Sequence, residues 1–176
     1  MELSGKKVVV LGLARSGLAA AELLRARGAA EVWISDQRAE ADLDARLLQQ
    51  AAQHGIGLES GGHSRSLIEG QDLLIVSPGV RVDAPPLQWA RERGIPVWSE
   101  IELAARLCPV PVIAVTGSNG KTTVVTLISQ VLARAGLRAG LCGNVGYPFC
   151  RQVLAAEPLD YIVLEAGVHR LADGRP

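Results

Sequence analysis

The segment from Thr116 to Thr123, with the sequence TGSNGKTT, has the residue types and the spacing of a phosphate-binding loop. Glycines let backbone N–H groups surround phosphate oxygens without Cβ clashes, and the N-terminus of a following helix supplies free N–H donors. Lys121 can reach the terminal phosphates of a nucleotide, and the Thr122 hydroxyl can ligate Mg²⁺. The match to G-x-x-x-x-G-K-[ST] is incomplete because Val115 occupies the first glycine position. The alternative, a glycine-rich turn with an exposed lysine, is disfavoured by the strand and helix patterns on either side.

A second glycine-containing turn, Gly12-Leu13-Ala14-Arg15-Ser16-Gly17, follows the first apolar run of the chain. It is similar to the dinucleotide-binding pattern G-x-G-x-x-G, but Ala14 replaces the middle glycine, which allows close approach of a pyrophosphate. Asp36 ends the second predicted strand, where NAD-binding folds place a ribose-binding carboxylate. The turn therefore fits another nucleotide diphosphate better than NAD, and a plain βα turn without a ligand stays open.

Polar residues also follow three later predicted strands, namely Ser77-Pro78-Gly79, Gly143-Asn144 and Glu165. Because ligands of open α/β sheets bind beyond the carboxyl ends of the strands, these residues are candidate ligand contacts. A carboxylate at Glu165 can hold Mg²⁺ opposite Thr122. Each segment has a plainer alternative, a simple turn or a solvated strand end. The three histidines, His54, His63 and His169, form no ligand pattern, and we interpret each as a surface or loop residue.

The composition limits the class of protein. The chain has 176 residues, of which 48% are apolar and only 3% aromatic, so one domain or two small ones with an aliphatic core are expected. Eighteen basic residues balance 18 acidic ones, which argues against a nucleic-acid binder or a polybasic membrane anchor. Three separated cysteines are typical of buried thiols in a reducing cytoplasm, and no apolar run reaches the about 18 residues of a membrane span. We expect a cytoplasmic protein without membrane or nucleic-acid partners.

The elements that position these residues alternate between short apolar strands and amphipathic helices. Strands are predicted at 7–11, 32–35, 72–76, 97–98, 112–115, 138–142 and 161–164. Helices are predicted at 15–27, 87–93, 99–107 and 122–135, with further helical spacing over 43–51. This alternation predicts βαβ units and a mostly parallel sheet. A domain boundary is predicted near Trp98, giving one domain over 1–98 and a second over 99–176.

Taken together, these residues resemble the Mur ligase family. The resemblance is collinear from about residue 4 to Glu165, and it rests on the segments 8–17, 77–80, 100–103, 113–123 and 143–148. The TGSNGKT loop alone is also similar to folylpolyglutamate synthetase. The turn at 12–17, the SPG turn and the GNVGYP turn narrow the resemblance to the branch that adds D-glutamate.

The resemblance implies a Rossmann-like parallel-sheet domain that binds a UDP moiety, followed by an incomplete P-loop α/β central domain. It implies ATP-driven amide formation, in which the carboxylate of UDP-N-acetylmuramoyl-L-alanine is phosphorylated and then attacked by the amine of D-glutamate. This reaction makes a cytoplasmic peptidoglycan precursor, and ATP and Mg²⁺ are the implied cofactors. A monomer is expected.

The family's functional positions map onto particular residues of this chain. The implied ATP-binding residues are Gly117, Ser118, Asn119, Gly120, Lys121, Thr122 and Thr123. The implied UDP-muramoyl-binding residues are Arg15, Ser16, Asp36, Arg38, Ser77 and Asn144. Thr122 and Glu165 would be the metal ligands, and Lys121 would be the catalytic cation.

The chain departs from the family pattern after Glu165, where it reads AGVHRLADGRP instead of a Leu-Ser-Ser-Phe-Gln type of segment. We therefore expect a truncated or frameshifted product that is inactive as a ligase by itself. Two alternatives remain: a stand-alone nucleotide- or UDP-sugar-binding module, and an NAD(P)-binding oxidoreductase domain.

Overall fold

The computed structural model describes residues 2–155 and 158–167. The chain divides into two compact units, Met1–Leu103 and Ala104–Pro176. Each unit contains a parallel sheet with helical crossovers, which confirms the predicted α/β class. Residues 168–176, which hold His169 and most of the segment expected to depart from the family, lie outside the described residues. The predicted roles of the two domains stay predictions at this stage.

The first unit is built on a five-stranded parallel sheet with the order β3-β2-β1-β4-β5. Its strands are β1 (Lys7–Leu11), β2 (Glu31–Ser35), β3 (Gly57–Glu59), β4 (Leu73–Val76) and β5 (Val97–Ser99). Its helices are α1 (Arg15–Ala26), α2 (Ala45–Gln53), α3 (Arg65–Glu69) and α4 (Pro85–Glu92), with a 3₁₀ turn at Glu40–Asp42. The boundary between the two units falls within the next helix, α5 (Glu100–Leu107). The strand order reverses between β1 and β4, and this is where open α/β sheets bind ligands.

The core of this unit is aliphatic, as its composition predicts. Val8, Val9, Val10 and Leu11 of the central strand are wholly buried, as expected for a parallel strand that is covered on both faces. The helix α1 packs on the sheet through apolar side chains that are all buried, namely Leu18, Ala21, Leu23 and Leu24. Ser99 caps the following helix α5, because its Oγ accepts the Glu102 N–H at 3.1 Å.

The second unit has a three-stranded parallel sheet with the order β6-β8-β7. Its elements are β6 (Val112–Val115), α6 (Lys121–Arg134), β7 (Ala139–Gly143), α7 (Phe149–Leu154) and β8 (Tyr161–Glu165). The central strand β8 is the best buried, while β6 is only half-buried and α6 exposes Val124, Leu127 and Val131. Because β6 and β8 are neighbours, the loop after β6 lies beside the carboxyl end of β8.

A close backbone contact fixes the start of α1. Gly12 has a φ of +90°, and its N–H donates to the Ser35 carbonyl at 2.8 Å. A Cβ added at Gly17 would lie 2.0 Å from the Gly12 carbonyl oxygen and 2.8 Å from Ser77 Oγ. Glycine at position 17 therefore allows α1 to begin directly against the turn after β1, close to the turn after β4.

We predict that Gly17→Ala lowers the free energy of unfolding by about 1–3 kcal/mol, because the methyl group meets a backbone oxygen that cannot move away. Gly79→Ala is the matched control, since a Cβ at Gly79 meets nothing within 4 Å. The control should leave the free energy unchanged or raise it by up to about 1 kcal/mol. Urea denaturation measures both variants, and equal values for the two would contradict the packing described here.

Candidate functional site

The first candidate site lies at the carboxyl edge of the five-stranded sheet, where the strand order reverses. The turn Gly12–Gly17 follows β1, Asp36 follows β2, and Ser77 follows the neighbouring strand β4. Arg15 and Ser16 open the first turn of α1, where backbone N–H groups point away from the helix. With Arg38, which pairs with Asp36, the structure thus brings together within one unit five of the six residues predicted to bind the UDP substrate.

Asp36 is the most heavily hydrogen-bonded of these side chains. The residue is only 5% exposed, and its carboxylate accepts the Leu13 N–H at 2.7 Å on Oδ2. Oδ1 accepts the backbone N–H of Arg38 at 2.9 Å and its Nε–H at 3.0 Å, and Arg38 Nη2 donates to Oδ2 at 2.8 Å. Arg38 Nη2 also donates to the Leu13 carbonyl at 2.8 Å. The pair therefore ties the turn after β1 to the segment after β2.

The titration of Asp36 reflects this environment. Burial by itself would raise the pKa of Asp36, but the hydrogen bonds from Arg38 and Leu13 and the positive charge of Arg38 outweigh it. The pKa therefore lies below its ordinary value, and the group is ionised at neutral pH. Half of the Arg38 side chain remains exposed, so its guanidinium can still meet an anionic ligand.

Ser77 closes the first site on the side of β4. The side chain is buried, and its hydroxyl donates to the Gly12 carbonyl at 3.3 Å. Its backbone N–H donates to the Leu11 carbonyl at 3.2 Å, and its own carbonyl accepts the Val80 N–H at 3.1 Å. These bonds hold the Ser-Pro-Gly turn beside the turn after β1.

The second candidate site is the loop between β6 and α6. Gly117 and Gly120 have φ values of +142° and +76°, which residues with a Cβ atom rarely adopt. The helix α6 begins at Lys121, immediately after Gly120. Lys121 Nζ donates to the Gly117 carbonyl at 2.6 Å and to the Ser118 carbonyl at 3.3 Å, so the ammonium group lies across the loop. The predicted phosphate loop thus has the strand–turn–helix context that its chemistry requires.

A hydrogen bond joins this loop to the neighbouring strand. Thr122 Oγ1 donates to Glu165 Oε2 at 2.9 Å. Glu165 is 4% exposed, pairs with Val115 in the sheet, and is followed by Ala166, whose N–H donates to the Val115 carbonyl at 2.9 Å. The structure therefore brings together the two predicted metal ligands, a hydroxyl and a carboxylate.

These two oxygens fit Mg²⁺, which binds proteins through one or two side chains and completes its shell with substrate phosphates and water. Within residues 2–155 and 158–167, no group of three or more His, Cys, Asp or Glu side chains could hold a metal by itself. A metal at Thr122 and Glu165 would therefore share its coordination with a nucleotide.

Asn144 directly follows β7 in the second unit. Its backbone N–H donates to the Glu165 carbonyl at 3.1 Å. A Cβ at the preceding Gly143 would lie 2.3 Å from that same carbonyl oxygen, so the turn after β7 lies directly against the end of β8. Among the predicted UDP-muramoyl contacts, Asn144 is thus the one that lies in the second unit, at the same sheet edge as the phosphate loop.

Sequence reasoning missed a polar cluster at the ends of β2 and β3. Ser35 Oγ donates to Glu59 Oε2 at 2.5 Å and lies 2.7 Å from His63 Nδ1. The Ser64 hydroxyl donates to the other oxygen of Glu59. His63 is in a loop, as predicted, but it is half-buried and hydrogen-bonded. The pairing of β2 with β3 places Glu59 opposite Ser35, and β3, with three residues, is too short for a sequence pattern to indicate it.

Among the described residues, no helix combines the length and the apolar character that a bilayer crossing needs.

Two family profiles match the chain. The profile of the "Mur ligase MurD-like, N-terminal domain" matches residues 6–99, and that of the "Mur ligase middle domain" matches residues 115–176. The second match includes residues 166–176, which we expected to depart from the family pattern.

Curated relatives match almost the whole chain. The "UDP-N-acetylmuramoylalanine--D-glutamate ligase" of Geotalea uraniireducens is 44% identical over 171 residues, and that of Desulfosudis oleivorans is 45% identical over 171 residues. Each alignment covers 97% of this chain and 37% of the relative. The chain thus spans little more than a third of the length of these relatives.

Solved structures agree on the fold. A murein peptide ligase from Psychrobacter arcticus gives a TM-score of 0.59 at 24% identity, covering 94% of this chain and 39% of that one. A pseudomurein peptide ligase type C from Methanothermus fervidus gives a TM-score of 0.53 at 27% identity, covering 93% of this chain and 33% of that one.

We predict that Asp36→Asn lowers the free energy of unfolding by about 1–3 kcal/mol at neutral pH, because the amide cannot accept all the donors that face the carboxylate. Since the folded pKa of Asp36 is depressed, its contribution is present above the ordinary pKa of 3.8 and is lost as the pH falls through the folded pKa. The difference between parent and variant should therefore narrow below about pH 4.

Asp83→Asn is the matched control, because Asp83 also pairs with an arginine two residues away, Arg81, but at a highly exposed position. Chemical denaturation at about pH 7 and about pH 3 compares both variants with the parent. The control should not change stability measurably. An Asp36→Asn effect that is equally small, or that grows in acid, would contradict the role of the buried carboxylate.

Proposed function

The chain belongs to the Mur ligase family, and from that membership we propose that its two units carry the UDP-substrate site and the ATP site of a D-glutamate-adding ligase. The proposed reaction joins D-glutamate to UDP-N-acetylmuramoyl-L-alanine at the expense of ATP. The hydrogen bond between Thr122 and Glu165 is the observation that carries the proposal, because it pairs a phosphate loop with a buried carboxylate. Curated relatives with this activity are 42–45% identical to the chain over 171 residues.

The first unit is proposed to bind the UDP moiety at its carboxyl edge. The N-terminus of α1 offers backbone donors to a pyrophosphate, and the exposed half of Arg38 offers a cation. Ser16 belongs to the turn after β1, and the hydroxyl of Ser77 donates to the Gly12 carbonyl of the same turn, so both serines are proposed ligand contacts. The proposed contacts from this unit are Arg15, Ser16, Asp36, Arg38 and Ser77.

An NAD(P)-dependent oxidoreductase fits this edge less well. Ala14 occupies the glycine position at which a dinucleotide pyrophosphate approaches the backbone. Both oxygens of Asp36 already accept hydrogen bonds from Leu13 and Arg38, whereas an NAD site uses this carboxylate to bind a ribose. The proposed role of Asp36 is instead to hold the turn and Arg38 in place for the ligand.

The second unit is proposed to bind ATP with Mg²⁺ through the loop residues 117–123. Thr122 and Glu165 would hold the metal, which when bound neutralises charge on the nucleotide phosphates. Lys121 would leave the loop carbonyls that it contacts and turn to the terminal phosphates, where its charge stabilises the transferring phosphoryl group. Asn144 lies at the same edge and is proposed to contact the substrate from there.

The chemistry that these groups would serve is a two-step acyl transfer. The carboxylate of the muramoyl-alanine attacks the γ-phosphorus of ATP, and ADP leaves with the bond electrons. The amine of D-glutamate then attacks the acyl phosphate, inorganic phosphate leaves, and an amide forms as the ammonium loses its proton. The loop N–H groups and Lys121 contribute positioning and charge neutralisation to the first step.

The location and partners of the chain follow from the same proposal. Its substrates would be a UDP-linked sugar, D-glutamate and ATP, and we therefore propose a cytoplasmic location. A monomer remains our expectation.

The UDP site is tested by calorimetric titration of the chain with UDP, with NADH as the comparison. We predict binding of UDP, because the edge offers hydrogen-bond donors for a diphosphate. We predict no detectable binding of NADH, because the Asp36 carboxylate that would bind its ribose already accepts hydrogen bonds from Leu13 and Arg38. Binding of NADH without binding of UDP would reverse the assignment of this site.

The ATP site is tested with Lys121→Ala, which removes the loop's side-chain cation and leaves its backbone donors. We predict weaker binding of Mg-ATP by about 1–3 kcal/mol, the range for charge-assisted contacts. Lys6→Ala is the control, because Lys6 is an exposed lysine of the first unit and pairs with Asp72. Equal affinity of the Lys121→Ala variant and the parent would show that the loop does not bind the nucleotide.

A further inference from the structure

The polar cluster at the ends of β2 and β3 adjoins the proposed UDP site, because its member Ser35 immediately precedes Asp36. It consists of Ser35, Glu59, His63 and Ser64. Ser35 is wholly buried and immediately precedes Asp36, while Glu59 is the last residue of β3. The cluster has no place in the proposed chemistry, and three of its four members come from the edge strand β3 and the loop that follows it.

The hydrogen-bond geometry fixes which atom donates to which. Glu59 accepts from the hydroxyl of Ser35, from the hydroxyl of Ser64 and from the Ser64 N–H at 3.2 Å. Burial by itself would raise the pKa of Glu59, but these hydrogen bonds outweigh it and hold the pKa below its usual value. The carboxylate is therefore ionised and can only accept.

The state of His63 follows from that of Glu59. Ser35 has one hydroxyl hydrogen, and the 2.5 Å bond to Glu59 uses it. The Ser35 oxygen can then only accept from His63, so His63 must carry its proton on Nδ1. Burial lowers the pKa of His63 although the charges of Glu59 and Asp36 oppose this, so the ring is neutral at pH 7.

Backbone hydrogen bonds connect this cluster to the residues that face the ligand. The Asp36 N–H donates to the Glu59 carbonyl at 2.8 Å, and the Gly62 N–H donates to the Asp36 carbonyl at 3.3 Å. The Gly61 N–H donates to the Arg38 carbonyl at 2.7 Å. The segment 59–63 therefore runs alongside 36–38 and supports it from the side of β3.

We propose that His63 is a positioning residue of the UDP site, which acts by donating its Nδ1–H to Ser35. This bond fastens the end of the segment 59–63 to β2, and the segment in turn holds Asp36 and Arg38 in the orientation that binds the ligand. The inference rests on the proposed function of the first unit. Without the imidazole, the Ser35 oxygen is buried with no donor, and the support for Arg38 is released.

Two substitutions separate positioning from mere packing. His63→Ala removes the donor, whereas His63→Asn retains an N–H close to the position of Nδ1. We expect the alanine variant to bind UDP about tenfold more weakly than the parent. The asparagine variant should recover affinity to within about threefold, because it restores the bond to Ser35.

His54→Ala is the matched control, since His54 is a half-exposed histidine of the same unit that pairs with Glu22 instead of the cluster. It should bind UDP as the parent does. In parallel, the ¹⁵N spectrum of the imidazole in the parent should show the Nδ1–H tautomer at neutral pH. Mg-ATP binding should be the same in all four chains.

Unchanged UDP affinity in the His63→Ala variant, no recovery in the His63→Asn variant, or the Nε2–H tautomer would each overturn the inference while leaving the UDP site in place. Should the alanine variant fail to fold, the asparagine variant and the tautomer still decide. A parent chain that does not bind UDP would instead overturn the proposed function, and the inference with it.

Discussion

The buried carboxylate of Asp36 is the interaction on which the first site depends. Removing an ionised carboxylate from water is costly unless every oxygen is hydrogen-bonded. Here Leu13 and Arg38 supply those bonds, at distances between 2.7 and 3.0 Å. Because the bonds come from the turn after β1 and from the segment after β2, compensating the charge also fixes the shape of the edge that would meet a nucleotide.

The second unit repeats this arrangement with a different outcome. In both sheets a buried carboxylate at the end of one strand binds the loop that follows the neighbouring strand, Asp36 next to β1 and Glu165 next to β6. Asp36 takes a backbone N–H and so closes a turn, whereas Glu165 takes the hydroxyl of Thr122 and so places two metal-ligand oxygens side by side. The parallel sheet supplies the common geometry, because its strands all end at the same edge.

Much of this architecture could be predicted from local patterns. The strands β1 and β4 are continuous apolar runs, and the loop at 117–123 has a glycine pattern with few other uses. The strand β3, the helices α3 and α7, and the cluster of Ser35, Glu59 and His63 could not be predicted in this way. The strand β3 has three residues and starts with a glycine, too short for any periodicity, and the cluster joins residues 24 and 28 positions apart. The resemblance implied that Asn144 contacts the UDP-muramoyl substrate. The pairing of β7 with β8 places it at the sheet edge that carries the phosphate loop, and its role stays a prediction.

We propose one nucleotide site at each sheet edge, and backbone amide NMR of the ¹⁵N-labelled chain tests this proposal most directly. UDP should shift the amide signals of Leu13, Ser16, Asp36, Arg38 and Ser77 and leave those of 117–123 in place. Mg-ATP, added to a fresh sample, should shift the signals of 117–123 and Glu165 and leave those of Leu13 and Asp36 unchanged. Shifts of the same set of amide signals by both nucleotides, or shifts of the signals of 117–123 on addition of UDP alone, would contradict the assignment of one nucleotide site to each edge.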